Sequence, residues 1–313
     1  MRVNSLAIVS VLSVLVFSAA HGQGTIDSTK ADKPSSVASR NQNERSYEST
    51  LTYQDYLSLG ISNIGSQHYA EAVQFLTRAL ALRGGTAELY HYLGFAYYHL
   101  KQSTLAAEYY EKQAQLDPNS ALAYNDLGFA YLDLRRYGES EKSFLEALRL
   151  APGVASPIRG LCVSYSGMKK PQQALQFCGR AEMAFSDASI EYLLGLACLD
   201  VGRYKESLKS LQKALSLNGK DVKILLAIGE ANYNLGRYEQ AENSFGQALA
   251  LNPDSAIVRL DLAAACLHRK HLDCALQQYQ VLKSLDPALS TYLLKAFSNR
   301  RVLDAREILR KNR

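Results

Sequence analysis

A period of 34 residues recurs along most of this 313-residue chain. Segment 121–154 repeats the pattern of segment 87–120, so that Phe144 falls on Tyr110. The frame extends in both directions and gives seven units, one of which is a residue shorter than the others: 53–86, 87–120, 121–154, 155–187, 188–221, 222–255 and 256–289. Self-similarity at such a period predicts a stack of small modules, and it argues against a single globular core with a catalytic cleft.

Each unit contains two apolar stretches at helical spacing, separated by a short polar turn. In 121–154 the first stretch includes Leu127 and Tyr131, and the second includes Phe144 and Leu148. A proline, which cannot continue a helix, stands at the same place near the end of four units: Pro118, Pro152, Pro253 and Pro287. The pattern predicts one antiparallel helix pair per unit, and neighbouring pairs must stack because a single pair has too little core to fold.

Two places in the repeat hold small residues, which let the two helices of a pair approach closely. The eighth place is glycine in five units: Gly60, Gly94, Gly128, Gly195 and Gly229. The twentieth place is alanine or serine in all seven: Ala72, Ala106, Ser140, Ala174, Ser207, Ala241 and Ala275. Bulky Tyr and Phe side chains are then expected to fill the space to the next unit.

This spacing of Gly, Tyr, Ala, Ala and Pro over residues 53–289 closely resembles the tetratricopeptide repeat. The resemblance implies an all-α fold, a right-handed superhelical solenoid of seven antiparallel helix pairs. Residues 290–313 are similar to a partial eighth repeat, and we predict that they form a C-terminal capping helix with a polar outer face.

The first 20 residues have the pattern of a secretory signal peptide, in which Arg2 precedes an apolar run over 6–17 and small residues follow. The alternative is an uncleaved membrane anchor. Residues 21–52 are poor in large apolar side chains, and we expect them to be a disordered tether. The chain contains no Asn-X-Ser/Thr sequon, which favours a bacterial periplasm over a eukaryotic secretory route.

The net charge of +5 lies entirely in residues 290–313. A neutral body argues against tracking of nucleic-acid phosphates along the solenoid, so no nucleic acid is expected as a partner. The basic segment is interpreted as the solvated cap. The alternative is weak contact with an anionic membrane surface or an acidic partner.

The first helix of each unit carries a second apolar stripe that closing the pair does not require. In the family that this chain resembles, the corresponding face lines the concave surface where peptides dock. The resemblance therefore implies that these residues contact a partner: His91, Phe95, Tyr98, Asn125, Phe129, Leu132, Tyr192, Leu196 and Leu199. The partner is expected to be a protein or peptide with an apolar or aromatic segment. The alternative is that packing between neighbouring first helices buries this stripe.

Two cysteine pairs stand at equal distances from the turns of their helix pairs, Cys162 with Cys178 and Cys266 with Cys274. In an oxidising compartment both pairs are candidate disulfides, and the alternative is that they are small buried hydrophobic residues. Cys198 remains unpaired. The turn that contains Cys266, His268, His271 and Cys274 invites a zinc interpretation, but its spacing matches no known finger, so no metal or other cofactor is expected.

No nucleophile elbow, phosphate loop or metalloprotease motif occurs in the sequence. Catalysis by this chain is therefore not expected. The sequence predicts a non-enzymatic scaffold or adaptor that holds a partner segment in a concave groove, in a bacterial cell envelope. The alternative is an assembly protein that associates with the membrane surface through its basic C-terminal segment.

Overall fold

The computed structural model describes residues 51–185 and 187–299, and within these ranges it contains fifteen α-helices and no strand. The helices are α1 Tyr53–Gly65, α2 Tyr69–Arg83, α3 Ala87–His99, α4 Ser103–Leu116, α5 Ala121–Asp133, α6 Tyr137–Leu150, α7 Ala155–Gly167, α8 Pro171–Glu182, α9 Ala188–Asp200, α10 Tyr204–Asn218, α11 Val222–Asn234, α12 Tyr238–Leu251, α13 Ala256–His268, α14 Leu272–Leu285 and α15 Pro287–Asn299. All of them belong to one compact unit that begins at Thr52.

The first fourteen helices form seven pairs, one for each repeat of the sequence. Each helix packs against the one before it and the one after it in the chain. The short turn within each pair makes its two helices antiparallel. Contacts beyond the next pair are absent among the described residues, as expected of a stack that grows in one direction. The prediction of an all-α solenoid of seven helix pairs is confirmed.

The turn within each pair is closed by one residue in the left-handed backbone region. This residue occupies the fifteenth place of every unit, with φ between 55° and 80°: Gln67, Lys101, Arg135, Lys169, Gly202, Gly236 and Lys270. Glycine adopts this conformation without a steric cost, but five of the seven units use another residue. The reversal is therefore imposed by the packing of the two helices as well as by the turn residue.

The two helices of a pair touch most closely at the eighth and twenty-fourth places. A Cβ atom added to Gly128 would lie 2.6 Å from the ring of Phe144, and one added to Gly94 would lie 2.7 Å from the ring of Tyr110. The small residue at the twentieth place is buried in all seven units. Where that residue is Ser140, its hydroxyl donates to the carbonyl oxygen of Gly128 at 2.9 Å, so its polar atom is satisfied.

The fourth unit replaces this glycine–ring contact with two cysteines. Cys162 stands at the eighth place and Cys178 at the twenty-fourth, with their Cα atoms 4.7 Å apart. Both side chains are fully buried in a cluster that also contains Phe144 of the preceding unit and Ile190 of the following one. The core is thus continuous from unit to unit.

The boundary between the seventh unit and the C-terminal helix differs from the predicted one. Pro118, Pro152 and Pro253 lie in loops between units, whereas Pro287 is the first residue of α15. Asp286 precedes it, and its carboxylate accepts a hydrogen bond from the backbone N–H of Leu289 at 3.0 Å. Proline is well tolerated at the first position of a helix, because the N–H that it lacks would have no partner there. The last helix therefore begins three residues before the predicted boundary at 290.

Several predictions fall outside the described residues. They are the signal peptide over 1–20, the tether up to residue 50, and the part of the basic cap beyond Asn299. Among the residues that the structure does describe, no helix has both the length and the apolar character needed to cross a bilayer.

We predict that Gly128→Ala lowers the free energy of unfolding by about 1–3 kcal/mol, because the new methyl group overlaps the buried ring of Phe144. The matched control is Gly138→Ala in the first turn of α6, where an added Cβ meets no atom within 4 Å. We expect the control to leave stability unchanged or to raise it slightly. Urea denaturation followed by circular dichroism measures both, and equal losses would contradict the role assigned to Gly128.

Candidate functional site

The first helices of neighbouring units lie on the inner side of the stack. Each first helix contacts the first helix of the next unit, from α1 with α3 through α13 with α15. The second helices of neighbouring units make no such contact within the described ranges. A stack whose first helices lie closer together than its second helices must curve toward the first helices. We call the surface formed by α1, α3, α5, α7, α9, α11 and α13 on that side the inner face.

All nine residues predicted to contact a partner lie on first helices of three units, α3, α5 and α9, but their exposure is limited. Eight of them are half-buried. Leu199 retains only 7 % of its surface, because it belongs to a core cluster with Leu211 and Ile224. The expectation that Leu199 offers a contact surface is therefore not supported by its position, since packing between the fifth and sixth units already covers it.

Other members of the stripe also serve the core. Phe129 packs edge-on against Phe144, with ring centroids 4.9 Å apart, and Leu132 packs against the same cluster. Tyr192 and Leu196 pack against the cluster around Leu211. Burial between units, which was the alternative interpretation, accounts for much of the stripe. The accessible inner face is therefore narrower than the sequence suggested.

In the second and third units the inner face is polar as well as aromatic. The Oδ2 atom of Asp126 lies 3.5 Å from Nδ1 of His91, and the two side chains are 18 % and 22 % exposed. The side-chain amide of Asn125 donates to Oδ1 of Asp126 at 3.1 Å. The ring of Phe95 lies 6.3 Å from that of His91. Tyr98 follows one turn further along α3. The structure thus brings together His91, Phe95 and Asn125 around a carboxylate.

Burial controls the charge state of this group of residues. Desolvation raises the pKa of Asp126 to about 6, and the hydrogen bond from Asn125 opposes this only in part. Desolvation also lowers the pKa of His91, against smaller opposing effects of Gln113 and Glu88. At pH 7 the carboxylate is therefore ionised while the imidazole beside it is neutral. Within residues 51–185 and 187–299 no lysine or arginine forms an ion pair with Asp126.

The sequence did not lead us to predict Asp126 as a site residue, although comparison of the repeats marks its position as unusual. It occupies the sixth place of its unit, where five other units have uncharged residues: Ser58, Tyr92, Gly160, Leu193 and Ala227. The seventh unit also has an aspartate there, but Asp261 is only 8 % exposed. A charge at a place that is otherwise uncharged suggests a special role, but its position beside His91 follows only from the structure.

The cysteine pairs are placed as the sequence predicted. The structure joins Cys162 to Cys178 and Cys266 to Cys274, the second pair with Cα atoms 6.0 Å apart, and Cys198 is free and buried. Burial is the main cause that raises the pKa of the Cys198 thiol, to about 11, so this thiol is a poor nucleophile at neutral pH. The oxidation of the pairs in the cell remains a prediction.

The side chains around Cys266 and Cys274 are engaged in other contacts, which does not favour the zinc interpretation. His268 stacks on Tyr238, with ring centroids 4.2 Å apart. An oxygen of Glu242 lies within 4.8 Å of both sulfur atoms. That carboxylate, however, pairs with the guanidinium of Arg269 at 2.8 Å. Its charge is thus already balanced by a side chain.

Comparison with known proteins identifies the repeat. Three family models, each described as tetratricopeptide repeat, match residues 87–120, 121–154, and 192–242 together with 226–290, which is more than half of the chain. A search of curated proteins found no match.

Solved structures of the same architecture are similar over most of their length. One is YrrB, described as a tetratricopeptide-repeat protein with an unusual peptide-binding site (19% identity, TM-score 0.54, covering 60% of this chain and 99% of that one). Another is PilF of Pseudomonas aeruginosa (21% identity, TM-score 0.54, 67% and 94%). A third is PilW, described as a type IV pilus biogenesis factor (15% identity, TM-score 0.54, 66% and 98%). At these identities the likeness concerns the fold.

We predict that Asp126→Asn raises the free energy of unfolding at pH 7 by about 1–2 kcal/mol. The carboxyl of Asp126 has a raised pKa in the folded state, so its ionisation opposes folding as the pH rises from about 4 through about 6. The amide is neutral and avoids this cost, so the difference between wild type and variant should shrink toward zero below pH 4.

Urea denaturation at several pH values between 3.5 and 7.5 tests this prediction. The control is Asp200→Asn, which replaces an exposed carboxylate at the end of α9 and should change little. A stability change in Asp126→Asn that is the same at pH 4 and pH 7, or a loss at pH 7, would contradict the assigned electrostatics.

Proposed function

We propose that this chain, which belongs to the tetratricopeptide-repeat family, is a non-enzymatic scaffold that holds an extended segment of a partner protein along its inner face. Proteins of this family are in general interaction scaffolds. The likeness to a protein whose description includes a peptide-binding site is consistent with this proposal.

One observation carries the proposal most directly. Two buried polar atoms on the first helices of the second and third units form no hydrogen bond: Nδ1 of His91, which lies 3.5 Å from a carboxylate oxygen of Asp126, and Oδ1 of Asn125. Leaving such an atom unpaired costs about 1–3 kcal/mol. Most buried polar groups in proteins have a partner, so we interpret these two neighbouring atoms as part of a site that a bound chain completes. A peptide backbone supplies both donors and acceptors at regular spacing.

The aromatic residues around these atoms provide the second part of such a site. Phe95 and Tyr98 are half-buried, the ring of Phe95 lies 6.3 Å from that of His91, and Tyr98 follows one turn further along α3. Partly exposed rings fixed by neighbouring helices contribute contact area at a low cost in side-chain entropy. Apolar contacts from these rings and hydrogen bonds to the polar atoms together suit an extended segment better than a flat protein surface.

We further propose that the scaffold works in a bacterial cell envelope. The pattern of the first 20 residues supports export, and the placement of two cysteine pairs within bonding reach suits an oxidising compartment. Membrane contact through the basic segment is the alternative proposal, and it depends mainly on residues beyond Asn299, outside the part of the chain that the structure describes.

Export predicts two properties of the protein isolated from its native cells. Its first residue should be His21, because cleavage is expected after Ala20, and it should contain a single free thiol, that of Cys198. Intact-mass measurement with and without reduction and alkylation reports both. A chain that retains Met1 and has five free thiols would contradict export.

Site-specific crosslinking in the native cells tests the proposed binding face. A photoreactive phenylalanine analogue at Phe95 should form a covalent product with a partner protein. The same analogue at Leu145, an exposed residue of the second helix α6, is the matched control and should not. Crosslinking of the same partner from Leu145 but not from Phe95 would place binding on the outer helices and refute the proposal.

A further inference from the structure

We propose that the inner face between the second and third units binds a cationic side chain, lysine or arginine, of the held segment, with the carboxylate of Asp126 as its counter-ion. This inference rests on the proposed function, because it concerns the same face and names the chemistry of what is bound there. It differs from the apolar or aromatic partner that the sequence predicted.

The first argument is the charge balance around Asp126. The ionisable side chains that interact with this carboxylate are His91 and Tyr98 from α3 and Tyr110 from α4, and beyond them Glu88 acts on His91 and Asp133 on Tyr98. Each of them is neutral or negative at pH 7. Lys101 lies nearby, with Nζ 5.8 Å from the centroid of the Tyr98 ring, but it forms no ion pair with Asp126. The carboxylate is thus largely removed from water without an opposite charge.

The cost of this arrangement indicates what would bind. A half-buried carboxylate loses part of its hydration, and a neutral imidazole at 3.5 Å brings no opposite charge to compensate it. A cation placed against Asp126 recovers that energy at the moment of binding. An apolar side chain would do the opposite, because it would remove the remaining water and leave the charge uncompensated. Charge complementarity therefore selects a cation.

The second argument is the aromatic group beside the carboxylate. The ring of His91 lies 6.3 Å from the partly exposed ring of Phe95, and the buried ring of Tyr110 supports it from behind at 6.4 Å. Tyr98 follows Phe95 by one turn of α3, and its pKa is raised mainly by burial and further by the charges of Asp133 and Asp126. Aromatic faces attract ammonium and guanidinium groups, and most strongly where water is excluded.

The third argument is an excess of hydrogen-bond acceptors. Oδ1 of Asn125 accepts no hydrogen bond, and the carboxylate of Asp126 receives one only from the amide of Asn125 among the described side chains. Lysine brings three N–H donors and arginine five, and neither brings an acceptor. A side chain of this kind matches the deficit of donors, which a carboxylate or a hydrocarbon does not.

The test uses the full chain and three small probes: N-acetyl-arginine amide, N-acetyl-lysine amide and N-acetyl-norleucine amide. Aromatic 1H–13C NMR correlations of His91 and Tyr98 are recorded during titration with each probe. We expect saturable shifts with the arginine and lysine probes and none with the uncharged norleucine probe. Equal shifts with all three probes would overturn the proposal.

Variants of Asp126 identify the counter-ion. Asp126→Asn should weaken binding of the cationic probes by about tenfold or more, Asp126→Glu should retain part of it, and the control Asp200→Asn should bind as the wild type does. Because Asp126→Asn is expected to be more stable than the wild type, loss of binding is not explained by unfolding. Undiminished binding by Asp126→Asn would overturn the proposal.

Crosslinking from Phe95 separates this inference from the proposed function. If Asp126→Asn loses the partner that the wild type crosslinks, both proposals are supported. If the partner is retained in full, the inner face binds it without the cation, and only the present inference fails. If the wild type itself crosslinks no partner, the proposed function fails, while the probe titration still decides whether the cation site exists.

Discussion

The close approach of two helices at a glycine is the contact on which this architecture depends. Gly128 against Phe144 and Gly94 against Tyr110 leave no room for a Cβ atom, so the ring of the second helix rests directly on the backbone of the first. This contact fixes the distance between the helices of a pair. The fourth unit obtains the same closeness with Cys162 and Cys178, whose Cα atoms are 4.7 Å apart.

Curvature follows from how these pairs stack. First helices contact their neighbours while second helices stand apart, so the inner face is crowded and its residues serve two purposes. Phe129 illustrates the conflict, because its ring is held by Phe144 and only its remaining surface is available to a partner. Rigid support of this kind restricts the area of the site, but it also reduces the entropy lost when a segment binds.

Asp126 shows the same conflict between packing and binding, here for a charged side chain. Its carboxylate is costly in the free protein, because His91 is neutral beside it and no cation among the described residues compensates it. Sites that bind charged groups commonly carry such a cost, since the energy lost in the free state is recovered in the complex. Stability and recognition therefore oppose each other at this residue.

The linear order of residues was sufficient for the helices, their pairing and the small residues between them, but only the structure shows that the ring at the twenty-fourth place rests on the glycine at the eighth. Periodicity, glycine at the eighth place and alanine or serine at the twentieth are local properties that most units repeat, and the structure agrees with them.

The solvent exposure of a side chain could not be predicted in this way, because it depends on helices from two or three units at once. No spacing within one unit reveals that Leu199 is covered by the sixth unit, or that His91 and Asp126 of successive units lie 3.5 Å apart. A proline such as Pro287 can either lie in the loop after a helix or begin the next helix, and only the structure shows that it is the first residue of α15. Repeating contacts could thus be read from the sequence, whereas contacts that differ from one unit to the next were decided by the folded stack.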